Sequence, residues 1–208
     1  MSYFITGTDT GVGKTYFTSL LTRALRQQGL DTLPLKPLCS GDRDDVDILR
    51  RVADHSATAD EINPIWLAAP TAPLVAARRE NRTIDFEALV AWFSKWQAQR
   101  QSLLVEGAGG WLVPITETHT IADLAVAFQL PVLIVVANRL GCLNHALLTV
   151  ESVRARGLSC AGLILNSISA DDSIAAATNR ASLEEICDVP ILAELVPGQD
   201  FLEWPVKG

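Results

Sequence analysis

The fold of this chain is decided by residues 7–15, which read Gly-Thr-Asp-Thr-Gly-Val-Gly-Lys-Thr. An apolar run at residues 3–6 precedes this stretch, and a helix-like pattern over residues 16–28 follows it. A strand, a glycine-containing loop and a helix form a phosphate-binding unit, because loop amides and the helix N-terminus attract anionic oxygens. In such a unit Lys14 reaches the β- and γ-phosphates of a nucleotide, and the Thr15 hydroxyl binds Mg²⁺.

The loop is one residue longer between its glycines than the usual pattern G-x-x-x-x-G-K-[ST]. The position of the first glycine holds Thr8, and the glycine lies one place earlier, at Gly7. A chance lysine in a glycine turn would show similar letters, but the strand-to-helix junction favours the phosphate-binding interpretation. The motif predicts a nucleoside triphosphate as ligand and does not specify the reaction.

Composition narrows the class of protein. The 208 residues suit one domain spanning 1–208, and a hydrophobic fraction of 49% argues against disorder. The net charge of −7 argues against nucleic-acid binding, which needs a basic patch. The four cysteines form no C-x-x-C pair, which argues against a zinc site and fits a reducing compartment. With no signal-peptide pattern and no membrane-spanning run, we expect a cytoplasmic protein that does not bind membranes.

Short apolar runs alternate with longer helical patterns along the chain. Their continuous hydrophobicity indicates strands covered on both faces, and hence a mostly parallel sheet. The predicted strands are residues 3–6, 32–36, 103–106, 132–137, 161–166 and 191–195. We therefore expect a three-layer α/β fold with helices on both faces, similar to P-loop NTPases. Residues 65–82 receive no predicted element, because the prolines in and beside this stretch break regular structure.

Ligands gather at the carboxyl ends of parallel strands, and this rule selects further candidate residues. Lys36 ends the second predicted strand, with Ser40 close behind it. Lys36 can neutralise charge on a transferring phosphoryl group, or it is a lysine at a sheet edge whose ammonium reaches solvent. Glu106 ends the third predicted strand, where phosphate-loop enzymes carry an acidic Mg²⁺ ligand. The alternative for Glu106 is a carboxylate that only solvates the strand end.

Asp47 has two interpretations that the residues alone leave open. It belongs to an acidic cluster at residues 42–47, which precedes a helix pattern over residues 48–53. Its carboxylate completes the Mg²⁺ shell, or it belongs to an acidic first turn that interacts favourably with the helix dipole.

Five segments carry a resemblance to a known family. They are residues 7–15, 36–41 (Lys-Pro-Leu-Cys-Ser-Gly), 69–73 (Ala-Pro-Thr-Ala-Pro), 105–110 (Val-Glu-Gly-Ala-Gly-Gly) and 140–146 (Leu-Gly-Cys-Leu-Asn-His-Ala). In this order they resemble the dethiobiotin synthetase family of biotin biosynthesis. The resemblance implies an ATP-dependent cyclo-ligase. CO2 and one amine of 7,8-diaminononanoate form a carbamate, ATP phosphorylates it to a carbamic–phosphoric anhydride, and the second amine closes the ring.

The resemblance also implies roles for individual residues. The nucleotide would be held by Gly11, Val12, Gly13, Lys14, Gly107, Ala108, Gly109 and Asn166, with Asn166 at the adenine edge. Mg²⁺ would be held by Thr15, Asp47 and Glu106. The catalytic residues would be Thr10, Lys14 and Lys36. The substrate would contact Ser40 and, from the neighbouring subunit of a homodimer, Leu143 and Asn144.

One departure from the family and one competing function accompany the resemblance. Gly11 occupies a position where relatives often carry an acidic residue, so a charge near the substrates is missing here. The main alternative is an ATPase switch of the partition or septum-site type. Such proteins carry an additional lysine near the start of the loop, where this chain has Thr8, Asp9 and Thr10. A glutamine-dependent synthase and a paralogue that only binds ATP are further, less favoured alternatives.

Overall fold

The computed structural model describes residues 1–167 and 173–205. In chain order the elements are β1 (Tyr3–Gly7), α1 (Lys14–Gln27), β2 (Thr32–Leu35), β3 (Leu38–Ser40), α2 (Asp44–Val52), α3 (Ala59–Ile62), β4 (Ile65–Leu67), α4 (Pro73–Arg79), α5 (Phe86–Gln99), β5 (Ser102–Gly110), α6 (Ile121–Phe128), β6 (Val132–Ala137), α7 (Cys142–Ala155), β7 (Cys160–Asn166), α8 (Ile174–Ile186) and β8 (Ile191–Leu195). Six of the strands form a parallel sheet in the order β2-β5-β1-β6-β7-β8.

The predicted three-layer architecture is confirmed by how the strand side chains divide between two cores. Side chains alternate across a strand, so neighbouring residues face opposite sides of the sheet. In β1, Phe4 packs into one core with residues of α5, α6 and α7. The next residue, Ile5, packs into the other core against α1 and the C-terminal Trp204. Both faces of the sheet are therefore covered, which explains why the strands read as continuous apolar runs.

Residues 65–82 contain regular structure, contrary to the sequence prediction. β4 pairs in parallel with β3 to form a separate two-stranded sheet. Pro73 begins α4, where its missing N–H breaks no helical hydrogen bond. The prolines here start and separate elements and do not prevent them.

The predicted strands agree with the observed ones to within a few residues at each end. Lys36 lies just beyond β2, which ends at Leu35, and its own amide donates to the carbonyl of Ile62 at 3.0 Å. β5 continues to Gly110, so Glu106 lies inside this central strand. Within the described residues, none of the helices combines the length and apolarity required to cross a bilayer.

Candidate active site

The phosphate loop joins β1 to α1 through close contacts that only glycine permits. Gly13 has a φ of 91° and caps α1. A Cβ atom there would lie 2.1 Å from Nδ2 of Asn166, so a side chain would displace Asn166 and would also strain the backbone. At Gly7 a Cβ atom would lie 2.6 Å from Cγ2 of Val12 and 3.1 Å from Nζ of Lys14. The shifted first glycine is therefore the point at which the loop folds back on its own strand.

Lys14 is buried although it carries an ammonium group. The residue is 7% exposed, and its Nζ donates to the carbonyl of Asp9 at 3.2 Å. Burial lowers its pKa to about 8, although the charge of Glu106 opposes this shift; Lys36 adds to the lowering. A cation held in this way lacks a full counter-charge, which suits it to bind phosphate oxygens.

A cluster of four charged and polar groups joins the loop to the neighbouring strands. Lys36 Nζ donates to Glu106 Oε1 at 2.6 Å and to Asp45 Oδ2 at 2.5 Å. The Thr15 hydroxyl donates to the same Glu106 oxygen at 2.7 Å. The fold thus brings together the helix start after β1, the residue after β2 and the central strand β5, as the sequence predicts.

Burial and mutual contact shift the pKa values of Lys36 and Asp45 in this cluster. Burial opposes the charged form of Lys36, but Glu106 and Asp45 outweigh it and raise the pKa of Lys36 above its usual range. Burial likewise opposes the charged form of Asp45, but the charge of Lys36 and its hydrogen bond hold the pKa of Asp45 below the usual range. Lys36 is therefore a fixed cation between two carboxylates, not a lysine that extends into solvent.

Glu106 is completely buried, and one of its carboxylate oxygens has no hydrogen-bond partner among the described residues. Its side chain is 0% exposed, and Oε2 has no hydrogen-bond partner among the described residues. An unpaired carboxylate oxygen in the interior costs free energy unless a ligand satisfies it. Glu106 also lines the cavity described next, so this oxygen is suited to accept a cation.

A cavity of about 800 Å³ opens over this cluster. Among the predicted site residues, those that line it are Thr10, Gly11, Gly13, Lys14, Thr15, Lys36, Ser40, Glu106, Ala108 and Gly109. Its wall also includes Cys39, Asp42, Asp45, Ile48, Pro70, Thr71, Ala72, Pro73 and Val113. Its volume lies within the range of small-molecule sites.

Asp47 does not line this cavity, which corrects its predicted place in the metal shell. α2 begins at Asp44, so Asp45 and Ile48 lie one turn apart and both line the cavity. Asp47 is exposed and lines a separate surface depression with Asp44 and Arg51. The carboxylate that this helix contributes to the cavity wall is therefore that of Asp45.

Several other predicted residues lie outside the cavity wall. The side chain of Val12 is buried in the core, and its carbonyl accepts a hydrogen bond from Asn166 Nδ2 at 2.8 Å. Gly107 packs against Phe4 and Ile121, where a Cβ atom would come within 2.9 Å of Ile121. Leu143 and Asn144 lie in the first turn of α7, and neither lines the cavity within this chain.

Comparison with known proteins identifies the family. A family model described as an AAA domain matches residues 1–205. A protein of Akkermansia muciniphila named ATP-dependent dethiobiotin synthetase BioD is 42% identical over 205 residues, covering 99% of this chain and 96% of that protein. A protein of the same name from an Anaeromyxobacter species is 44% identical over 204 residues, covering 96% and 92%. The chain belongs to the dethiobiotin synthetase family.

Solved structures that resemble the chain are more distant and support the fold alone. The septum site-determining protein MinD from Pyrococcus horikoshii has a TM-score of 0.57 and 17% identity, covering 96% of this chain and 82% of that one. A ParA family ATPase from Chlorobium tepidum has a TM-score of 0.58 and 14% identity, covering 96% and 85%. The P-loop NTPase fold is thereby confirmed, whereas identity over nearly the full length favours dethiobiotin synthetases over the switch proteins.

The sequence prediction for this dethiobiotin synthetase family member missed Asp45 and Asp42. The signal for Asp45 is the phase of α2, in which Val46, Leu49 and the following Ala53 form the buried stripe. That stripe places Asp45 and Asp47 on different sides of the helix. Asp42 lies in the turn before α2, and only the folded structure places it beside the cavity.

Proposed function

We propose that the chain catalyses the ATP-dependent carboxylation and ring closure of 7,8-diaminononanoate to dethiobiotin. The observation that carries this proposal is the junction of Lys36 with Glu106 and Asp45, at 2.6 and 2.5 Å, directly beside the phosphate loop. A buried cation next to a phosphate cradle provides the charge stabilisation that phosphoryl transfer to a carbamate requires. Relatives named dethiobiotin synthetase over nearly the whole chain support the same assignment.

The phosphate loop would hold the triphosphate of ATP. Lys14 would neutralise phosphate oxygens, and the amides of Gly11, Val12 and Gly13 would donate to them. The backbone of residues 107–109 would let the ligand approach closely, because two of these residues are glycines. Asn166, which already contacts the loop through the Val12 carbonyl, would also meet the adenine edge.

The donor set beside the loop fits Mg²⁺. We propose that Thr15, Glu106 and Asp45 hold the ion, with Asp45 replacing Asp47 in the earlier prediction. Hydroxyl and carboxylate oxygens are the ligands Mg²⁺ prefers, and phosphates and waters usually supply the rest of its shell. Among the described residues, no three acidic, histidine or cysteine side chains are grouped so that they could hold a metal ion by themselves. The ligands from the protein would therefore be few, and the phosphates and waters would supply the others. When bound, the ion would neutralise charge on the β- and γ-phosphates.

The reaction consists of three bond changes that balance. One amine of the substrate attacks CO2 and loses a proton, which gives a carbamate. A carbamate oxygen attacks the γ-phosphorus and ADP leaves, which gives the mixed anhydride. The second amine, once it has lost its extra proton, attacks the anhydride carbon; phosphate leaves, the nitrogen releases one more proton, and the ring closes. Lys36 and Thr10 would stabilise and orient the carbamate and the γ-phosphoryl group, while Ser40 would hold the diamine.

A second subunit would complete the substrate site. Leu143 and Asn144 lie in the first turn of α7, and Asn144 is exposed in this chain. We propose that the chain forms a homodimer in which these residues meet the substrate carboxylate of the neighbouring subunit through the helix N-terminus. We further propose that residues 1–208 act as one domain in the cytoplasm, on small molecules and without nucleic acid or membrane partners.

One assay tests the proposed reaction. The protein is incubated with 7,8-diaminononanoate, bicarbonate, Mg²⁺ and ATP, and dethiobiotin is detected by mass spectrometry, with ADP and phosphate measured in parallel. We expect one ADP for each dethiobiotin formed. ATP turnover that ignores the diamine and bicarbonate, with no dethiobiotin, would favour the ATPase switch and refute the proposal.

A further inference from the structure

The cavity wall has more negatively than positively charged residues, and one of its carboxylates makes no ion pair with a lysine. Its charged residues are Lys14 and Lys36 against Asp42, Asp45 and Glu106. Asp45 and Glu106 both contact Lys36. Asp42 is exposed, lines the cavity and makes no ion pair of 4.0 Å or less with any other described residue.

The phosphate loop does not supply a second such carboxylate. Gly11, which lines the cavity, has no side chain. Asp9 lies outside the cavity wall, and its carboxylate accepts the Thr10 amide at 2.7 Å and approaches Arg139 at 3.5 Å. Within the described part of the chain, Asp42 is the cavity carboxylate that remains available to a cationic ligand.

The backbone around Asp42 is held in place on several sides. The Gly41 amide donates to the carbonyl of Leu67 at 2.9 Å, and the Trp66 indole donates to the carbonyl of Gly41 at 2.8 Å. The Cys39 thiol contacts the Asp42 carbonyl at 3.1 Å. A group fixed in this way binds a ligand with little loss of conformational entropy.

The side chains of this turn offer acceptors to a ligand. Among the described residues, Asp42 Oδ1 accepts a single hydrogen bond, a long one of 3.3 Å from the Asp44 amide. Ser40 Oγ is buried, lines the same cavity and has no partner among the described residues. A carboxylate and a hydroxyl from one rigid turn match an ammonium group, which has three donors and no acceptor.

We infer that Asp42, together with Ser40, binds the protonated amine of the diamine substrate and thereby selects diamines over monoamines. This inference rests on the proposed function and deepens it. One amine becomes the carbamate and faces Lys36, whose positive charge repels a second ammonium. The other amine is attracted to the carboxylate of Asp42, which makes no ion pair with a lysine. Asp42 is therefore a specificity-determining residue for the diamine.

The test compares binding of three ligands by isothermal titration calorimetry, without turnover. The ligands are 7,8-diaminononanoate, 7-aminononanoate and 8-aminononanoate, and the proteins are the wild type and Asp42→Asn. The wild type should prefer the diamine to the monoamines, and Asp42→Asn should bind the diamine about 10- to 100-fold more weakly, the range expected for a charge-assisted hydrogen bond. The preference for the diamine should largely disappear, and ATP affinity should not change.

Two further variants test whether a loss of diamine affinity comes from the carboxylate of Asp42 itself. Asparagine keeps the acceptor for the Asp44 amide, so Asp42→Asn preserves the turn. Asp44→Asn removes the same charge two residues along the chain, in a residue that lines the separate depression and not the cavity, and should leave diamine affinity unchanged. Asp42→Glu restores the carboxylate and should recover part of the lost affinity.

The outcomes separate this inference from the proposed function. Unchanged diamine affinity in Asp42→Asn overturns the inference, even if the wild type forms dethiobiotin. A higher Mg²⁺ requirement for ATP binding, with diamine affinity intact, would assign Asp42 to the metal and also overturn it. Diamine binding that depends on Asp42 in a protein that forms no dethiobiotin would support the inference and refute the proposed reaction. A wild type that does not bind the diamine refutes both.

Discussion

The cavity has two walls that the chain builds in different ways. The phosphate wall (Thr10, Gly11, Gly13, Lys14, Thr15 and Glu106) comes from the loop after β1, from the start of α1 and from β5, which pairs with β1 in the main sheet. The substrate wall (Cys39, Ser40, Asp42, Asp45, Ile48 and residues 70–73) comes from β3 and the turn after it, from α2 and from the segment that leads into α4. Lys36 joins the two walls, because it contacts Glu106 of the first and Asp45 of the second.

The walls also differ in how deeply their charges are buried. Glu106 and Lys14 are buried, whereas the side chain of Asp45 is 44% exposed and Asp42 is exposed. A buried charge depends strongly on its partners, while water screens an exposed one. The charged residues of the phosphate wall should therefore tolerate substitution less well than those of the substrate wall. The largest effect is therefore expected where a buried charge loses its partner.

The largest effect is expected at the residue that joins the walls. Lys36→Ala should lower the kcat for dethiobiotin formation about 1,000-fold, as for loss of a transition-state charge stabiliser, while the variant still binds ATP. Unfolding should also become easier by about 3 kcal/mol, because Glu106 loses its buried partner. Turnover, ATP titration and thermal melting measure these three quantities.

The matched control for this variant is Lys95→Ala, which removes an exposed lysine of α5. It should leave turnover and melting unchanged. Turnover within a few-fold of the wild type in Lys36→Ala would remove Lys36 from the mechanism.

The second effect concerns Glu106, whose Oε2 atom we propose as a ligand of Mg²⁺. Glu106→Gln keeps the size of the side chain and an acceptor for Thr15 and Lys36, but removes the negative charge. The Mg²⁺ concentration for half-maximal activity should rise at least about 10-fold, the scale of weakened metal shells. A Mg²⁺ titration of the rate measures this, with Glu87→Gln on the surface of α5 as control. An unchanged Mg²⁺ requirement would exclude Glu106 as a ligand.

The third effect separates two neighbouring carboxylates of α2. Asp45→Asn should raise the Mg²⁺ requirement and lower kcat/KM for ATP about 10-fold, because a partly exposed ligand contributes less than a buried one. Asp47→Asn should behave as the wild type, since Asp47 lies in the outer depression. Kinetics on both variants under identical conditions decide the assignment. A defect in Asp47→Asn with a normal Asp45→Asn would reverse it.

The smallest effect is a pH dependence of the phosphate wall. Burial lowers the pKa of Lys14 to about 8 from 10.5. Between these two values the folded protein releases a proton that the unfolded chain retains, so stability rises with pH across this window. The cation that attracts phosphates is lost over the same window. ATP affinity should therefore be about 10-fold lower at pH 9 than at pH 7, and binding should take up a proton.

Calorimetric titrations at the two pH values, in buffers with different ionisation enthalpies, measure both quantities. Lys14→Arg should show almost no dependence over this range, because a guanidinium stays protonated. An equal dependence in Lys14→Arg would show that another group titrates.

The residues of the phosphate wall can be predicted from the sequence, because each of them lies in or directly after a short contiguous pattern. The loop at residues 7–15 is contiguous, and strands buried on both faces read as unbroken apolar runs. The apolar run that ends at Glu106 locates the carboxylate without knowledge of the fold. The six main strands are accordingly confirmed, and in the structure Thr15 and Lys36 each contact Glu106.

The substrate wall is less predictable, because its parts meet only after folding. β3 and β4 have three residues each, too few for a periodicity to show. The choice between Asp45 and Asp47 depends on where α2 begins, and helix ends are the least certain feature of a sequence. Asp42 reaches the cavity through a turn held by Leu67 and Trp66, more than 20 residues away.

A crystal structure with Mg²⁺, a non-hydrolysable ATP analogue and the diamine tests the central claim most directly. We expect the ion at roughly 2.1 Å from the Thr15 hydroxyl and from a Glu106 oxygen, with the γ-phosphate within reach of Lys14 and Lys36. A nucleotide bound elsewhere, or an ion held without Thr15 and Glu106, would contradict the account.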